Sequence, residues 1–127
     1  MKERTNEVFD EKDEKIVELF SDLGMPRNLA KTLMYICQVE ECKSTDVEQG
    51  ADLRQPEVSI AMQELRKRGW VMKKDLKKKG KGRPTHMYTT KMDLNSIIDT
   101  LEEQKLSEID QMKNNISELR ETVSKLS

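Results

Sequence analysis

Apolar residues in the first half of the 127-residue chain recur at helical spacing. From Asp13, the residues Ile16, Leu19, Phe20 and Leu23 follow the i, i+3, i+4, i+7 rule for one helix face, and Gly24 ends the segment. Pro26, at a favourable first helical position, opens a second helix with the inward stripe Leu29, Ala30, Leu33, Met34 and Cys37, widened by Tyr35 and Ile36. After a loop from Glu40 to Ser44, Thr45-Asp46-Val47-Glu48 places a hydroxyl at an N-cap and a carboxylate three residues on, which predicts a third helix. That helix is short, because Leu53-Arg54-Gln55 runs into Pro56 and the residue before a proline avoids helical geometry. Pro56 falls in the first turn of a fourth helix with Val58, Ala61, Met62 and Leu65 on one face, ended by Gly69.

Past Gly69 the period changes. Trp70 to Lys74 and His86 to Thr90 read as two short strands, joined by the segment Asp75 to Thr85 with Gly80, Gly82 and Pro84 as punctuation. Asp93 is a suitable N-cap for a final helix, since glycine and proline are absent from there to Ser127. Within it Ile109, Met112, Ile116, Leu119, Val123 and Leu126 alternate steps of three and four, the a/d seam of a coiled coil. Leu94, Ile98 and Leu101 lie in another phase, and the eleven-residue step from Ile98 to Ile109 is a stutter at Lys105 or Leu106. Leu94, Ile97, Ile98 and Leu101 are expected to close the domain against the N-terminal helices. The expected organisation is a tail over 1–12, a domain over 13–92 and a dimerisation helix over 93–127.

Composition narrows the function. Hydrophobic residues make up 35% of the chain and no apolar run is longer than Leu33 to Cys37, so neither a membrane span nor a membrane partner is expected, and the chain reads as cytoplasmic. Cys37 and Cys42 lack the paired spacing of a zinc ribbon, and His86 cannot complete a four-ligand set with them, so no metal or cofactor is expected. Cys37 reads as core packing. Cys42, in the loop beside Lys43, has no clear cause to ionise, although oxidant sensing through a thiol stays open. The net charge of −1 hides a segregated distribution, with eleven Lys or Arg against one acid between Arg66 and Lys91. No motif couples a nucleophile to a base, and no glycine loop precedes a helix to hold phosphate, so an enzyme is not expected.

Helix, helix, short helix, turn, longer helix and basic hairpin is the order of a winged helix-turn-helix. Residues 44–71, with the turn Arg68-Gly69-Trp70-Val71, and the glycine- and arginine-bearing Gly80-Lys81-Gly82-Arg83-Pro84 resemble the DNA-binding core and wing of archaeal TrmB-like and MarR-like transcriptional regulators. The likeness covers roughly residues 16–100 and leaves the tail and the distal coiled coil outside it. It implies a mainly α fold with a small β-hairpin, a winged helix-turn-helix domain followed by a long C-terminal coiled-coil helix, and a role in binding double-stranded DNA.

The residues support that implication independently. With Val58, Ala61, Met62 and Leu65 inward, Gln55, Pro56, Ser59, Ile60 and Gln63 point outward, with Arg54 just before them. Gln55 or Gln63 can bond adenine bidentately, Ser59 a phosphate or base, and Pro56 or Ile60 can touch a thymine methyl. Relatives commonly carry a polar or basic residue at the position of Ile60, so partial burial is the alternative there. Lys77, Lys78, Lys79, Lys81 and Arg83 form the wing cations, which would neutralise phosphates, with Arg83 the candidate for minor-groove insertion. The competing reading of those cations is a solvated lysine-rich loop. Trp70 reads as a hydrophobic plug at the strand start rather than a base-stacking platform.

The terminal seam calls for a partner, and a homodimer is the economical one, presenting two recognition helices to a pseudo-palindromic operator. The competing reading folds the last helix back on its own domain. A different functional class also stays open: a winged-helix adaptor in a transcription or RNA-processing complex that holds a protein through its coiled coil. No residue cluster identifies a small-molecule effector, and nothing distinguishes activator from repressor.

Overall fold

The computed structural model describes residues 10–76 and 85–126. Its elements run α1 (Glu11–Asp22), α2 (Arg27–Val39), β1 (Glu41–Cys42), α3 (Ser44–Gly50), α4 (Gln55–Lys67), β2 (Val71–Leu76), β3 (Thr85–Thr90) and α5 (Leu94–Ser124). The chain divides into one compact unit ending at Asp93 and a second formed by the helix that follows. The architecture is mainly α with a small antiparallel sheet, as the sequence predicts.

Helix α2 is the hub of the first unit. It packs on α1, α3, α4 and the sheet. That is why Leu29, Ala30, Thr32, Leu33, Met34, Tyr35 and Ile36 are all buried, more than one amphipathic face would hide. The one hydroxyl of a threonine in this run is satisfied locally, Thr32 Oγ1 donating to the Asn28 carbonyl at 2.9 Å. Val47 of α3 and Val58, Ala61, Met62 and Leu65 of α4 complete the core, as the predicted α4 face requires. Pro26 is the N-cap of α2 rather than its first helical residue.

The predicted face of α1 needs correction. Val17 and Phe20 are buried, whereas Leu19 and Leu23 are each 49% exposed. The buried line begins with a charge, Asp13, whose Oδ1 accepts from Gln38 Nε2 of α2 at 2.7 Å. The helix also starts earlier than expected, because Asp10 and Asp13 form a reciprocal capping box: Asp13 N donates to Asp10 Oδ1 at 2.9 Å and Asp10 N to Asp13 Oδ2 at 3.2 Å. Arg27 adds a 3.0 Å ion pair to Glu14 between α1 and α2.

Helices α1 and α4 end alike. Gly24 (φ 98°) and Gly69 (φ 80°) take the left-handed conformation. Met25 N then donates to the Phe20 carbonyl and Trp70 N to the Leu65 carbonyl, both at 3.1 Å, the six-to-one bond of a Schellman motif. In the second case the motif drops Trp70, 4% exposed, into the core at the start of β2. The sheet has the order β1-β3-β2 with both pairings antiparallel. Strand β1 was not expected: the predicted loop Glu40 to Ser44 instead pairs Glu41 with Thr89 and Cys42 with Tyr88.

Candidate nucleic-acid interface

The segment that presents α4 is built from the bottom up by caps and buried anchors. Helix α3 starts two residues before the predicted box: Lys43 is the N-cap, and its amide donates to Asp46 Oδ2 at 2.9 Å. Val47, Ala51 and Leu53 are buried and hold the following turn down. Asp52 (φ 55°) reverses the chain, and Leu53 N bonds back to the Glu48 carbonyl at 3.0 Å. Arg54 then caps α4, its amide donating to Glu57 Oε1 at 2.8 Å. That hydrogen bond is the main cause holding the Glu57 carboxyl below its usual range, with Arg54, Asn28 and Lys31 contributing.

With its inner face fixed, α4 turns Arg54, Gln55, Pro56, Ser59, Ile60 and Gln63 to solvent, and all six are exposed. Gln55, Ser59 and Gln63 are spaced i, i+4, i+8 and form one uncharged polar stripe along the helix. Ile60 is 69% exposed, so the partial burial considered for it does not occur. It lines an open groove of about 460 Å³ with Pro26 and Leu29 on one side and Glu57, Glu64 and Arg68 on the other. Both carboxylates on this flank have cationic partners, Arg54 for Glu57 and Arg68 for Glu64. Glu64 is held below the usual carboxylate range by the Arg68 guanidinium, whose Nε donates to it at 2.8 Å. Arg68 also lies 5.1 Å above the Trp70 ring.

Further exposed cations lie on α4 and β2. Arg66 and Lys67 close the exposed end of α4, and Lys73 and Lys74 are exposed on β2. These four were legible only as members of the basic run. Strands β2 and β3 pair from Val71–Thr90 to Leu76–Thr85, and across the Asp75–His86 pair His86 Nδ1 lies 2.6 Å from Asp75 Oδ1. The strands thus extend further than predicted, to Leu76 and back to Thr85. Lys77, Lys78, Lys79, Lys81 and Arg83 lie outside the described residues.

The cysteines carry no sign of activation. Cys42 is 2% exposed in β1, not in a loop, and burial, aided by Asp46 and Glu41, pushes its thiol up to about 12. Cys37 is half-buried and pushed up to about 11, by burial first and Asp93 second. Among the described residues no His, Cys, Asp and Glu group could hold a metal ion, and no helix is long and apolar enough to cross a membrane.

Helix α5 is continuous through Lys105 and Leu106. Ile97 and Leu101 are buried, but Ile98, expected to pack with them, is 44% exposed. All six seam residues, Ile109, Met112, Ile116, Leu119, Val123 and Leu126, are exposed on the single chain, from 46% at Ile109 to 82% at Leu126.

No family model and no curated protein sequence matches the chain. Solved structures do. TrmBL2, an archaeal chromatin protein, superposes with a TM-score of 0.72 at 13% identity over 90% of this chain and 42% of its own. The fold is a winged helix-turn-helix. A possible transcriptional regulator from Methanosarcina mazei Go1 matches with a TM-score of 0.64 at 13% identity, over 90% of this chain and 98% of that one. NadR, solved in complex with 4-hydroxyphenylacetate, follows at 0.52 and 12% identity, over 89% of this chain and 82% of its own. The chain therefore spans less than half of TrmBL2 and nearly all of the Methanosarcina protein.

Proposed function

We propose that the protein is a sequence-specific, double-stranded DNA-binding transcriptional regulator that acts as a homodimer on a pseudo-palindromic operator. The observation that carries this reading is α4: its apolar face is buried, and an uncharged stripe of Gln55, Ser59 and Gln63 is left exposed. Amides and a hydroxyl on a projecting helix match base edges in a major groove, where glutamine can satisfy adenine with two bonds. Arg54, paired loosely with Glu57 at 3.9 Å, supplies a phosphate contact at the helix entry, and Pro56 and Ile60 supply apolar contact beside it. Lys77, Lys78, Lys79, Lys81 and Arg83 provide the wing, with sequence-independent affinity through counterion release. TrmBL2, whose structure is described as showing a mode of DNA binding, and the possible regulator from Methanosarcina mazei share the fold and support the assignment.

The exposed seam of α5 supports dimerisation, since a line of Ile, Leu, Met and Val over several turns is unfavourable in water. A pseudo-palindromic operator would call for two copies of α4 about 34 Å apart, one turn of duplex. Selection from a random duplex pool with the full chain, at near-physiological ionic strength, tests the whole reading. Recovery of an inverted repeat is expected. Enrichment of no sequence, together with a stable heteromeric partner on pull-down, would replace the regulator with an adaptor.

A further inference from the structure

We propose that the distal part of α5 pairs with a second copy of the chain in parallel and in register, as a two-stranded coil. The inference rests on the dimer reading above and adds its orientation. The first argument is the seam chemistry. Ile109, Ile116 and Val123 occupy the a positions, and Met112, Leu119 and Leu126 the d positions. In parallel coils, β-branched residues at a with leucine at d select two strands over three or four.

Charge beside the seam supplies the second argument. The e positions are Lys113 and Arg120, both cationic, and the g positions are Glu108, Asn115 and Thr122. In a parallel pair each g residue meets the e residue five positions on in the partner, so Glu108 meets Lys113 on both flanks and Asn115 meets Arg120, with no like-charge contact. Antiparallel pairing with full seam overlap instead sets e against e, bringing Lys113 against Arg120 twice. The only anion at these e and g positions is thus placed where a parallel partner presents a cation. Glu108 Oε1 accepts from Lys105 Nζ of its own helix at 3.2 Å, which leaves Oε2 for the partner.

Cysteine crosslinking separates orientation from dimerisation. Ile109→Cys and Leu126→Cys are made singly in the full chain and oxidised alone and as a mixture, with the unsubstituted protein as background; its own thiols, raised to about 11 and about 12, react slowly at neutral pH. Each variant alone is expected to form a covalent dimer. Crosslinking only in the mixture would overturn the parallel orientation and leave the dimer standing. No crosslink in any sample, with a monomer mass in sedimentation, would overturn the dimer itself. A charge cycle gives an independent readout: Glu108→Lys and Lys113→Glu should each weaken dimerisation roughly fivefold, and the double variant should recover most of it. Failure of the double variant to recover would remove the Glu108–Lys113 register.

Discussion

Two glycines show that a residue type can be required for different reasons. A Cβ on Gly50 would overlap the Cε1–Cδ1 edge of the Tyr35 ring, and Tyr35 is buried at 8% exposure with little room to retreat. Gly50→Ala should therefore cost about 1–3 kcal/mol by overpacking, read as a lower denaturant midpoint at unchanged m. At Gly69 nothing lies within 4 Å of an added Cβ, but φ is +80°. Gly69→Ala should cost about 1–2 kcal/mol through backbone strain alone, and Gly69→Asn, which tolerates this conformation better, should cost less than Gly69→Ala. Equal losses for alanine and asparagine would argue against the strain. The thiols make a separate prediction. Cys42 keeps its proton in the folded chain up to about pH 12, while an unfolded thiol loses it near 9.0. The folded state binds the extra proton, so stability from this group is intact below pH 9 and falls above it, by about 1 kcal/mol per pH unit. Urea unfolding of Cys42→Ala should show a flatter decline between pH 9 and 11 than the unsubstituted chain, and an unchanged slope would clear Cys42 of that role. Burial at this scale was only partly legible in sequence. The α4 face was plain because every core position is apolar, whereas the α1 face was misread because its buried line, Asp13, Val17 and Phe20, begins with a carboxylate that needs Gln38 of another helix to make it tolerable.

At the scale of elements, the proposed function divides binding between α4 and the cations of residues 77–83, and substitution should separate them. Alanine at Lys77, Lys78, Lys79, Lys81 and Arg83 should flatten the plot of log affinity against log salt, by nearly one unit of slope for each phosphate no longer neutralised. Alanine at Gln55, Ser59 and Gln63 should leave that slope alone and instead cost about 1–3 kcal/mol of discrimination for each base edge no longer bonded. An unaltered salt slope in the first variant would take the wing out of the mechanism. A collapse of selectivity without any change in slope would confirm the stripe. Helix order and the hairpin could be read from periodicity because each is a local pattern. Strand β1 could not: it has two residues, too few for a period, and it exists through pairing with β3, far along the chain. The α3 cap was misplaced by two residues for a related reason, since Thr45 and Glu48 satisfy the same spacing that Lys43 and Asp46 satisfy in three dimensions.

For the molecule as a whole, the proposed dimer has the sharpest consequence. Ile116→Lys with Leu119→Lys sets charges in the apolar seam and should yield a monomer in sedimentation, with the fold of the first unit retained by circular dichroism. A dimer mass for that variant would refute the seam. Such a variant should also lose operator binding more severely than binding to unrelated duplex, since only the former needs both half-sites at once. The long helix was legible from six apolar positions at strict spacing; its continuity and the exposure of those six on one chain are what the structure adds. A last consequence comes from the absence of formal charge along Gln55, Ser59 and Gln63. Under the proposed function, exchanges among uncharged side chains there would alter which operator is favoured without loosening the Coulombic hold on duplex of any sequence.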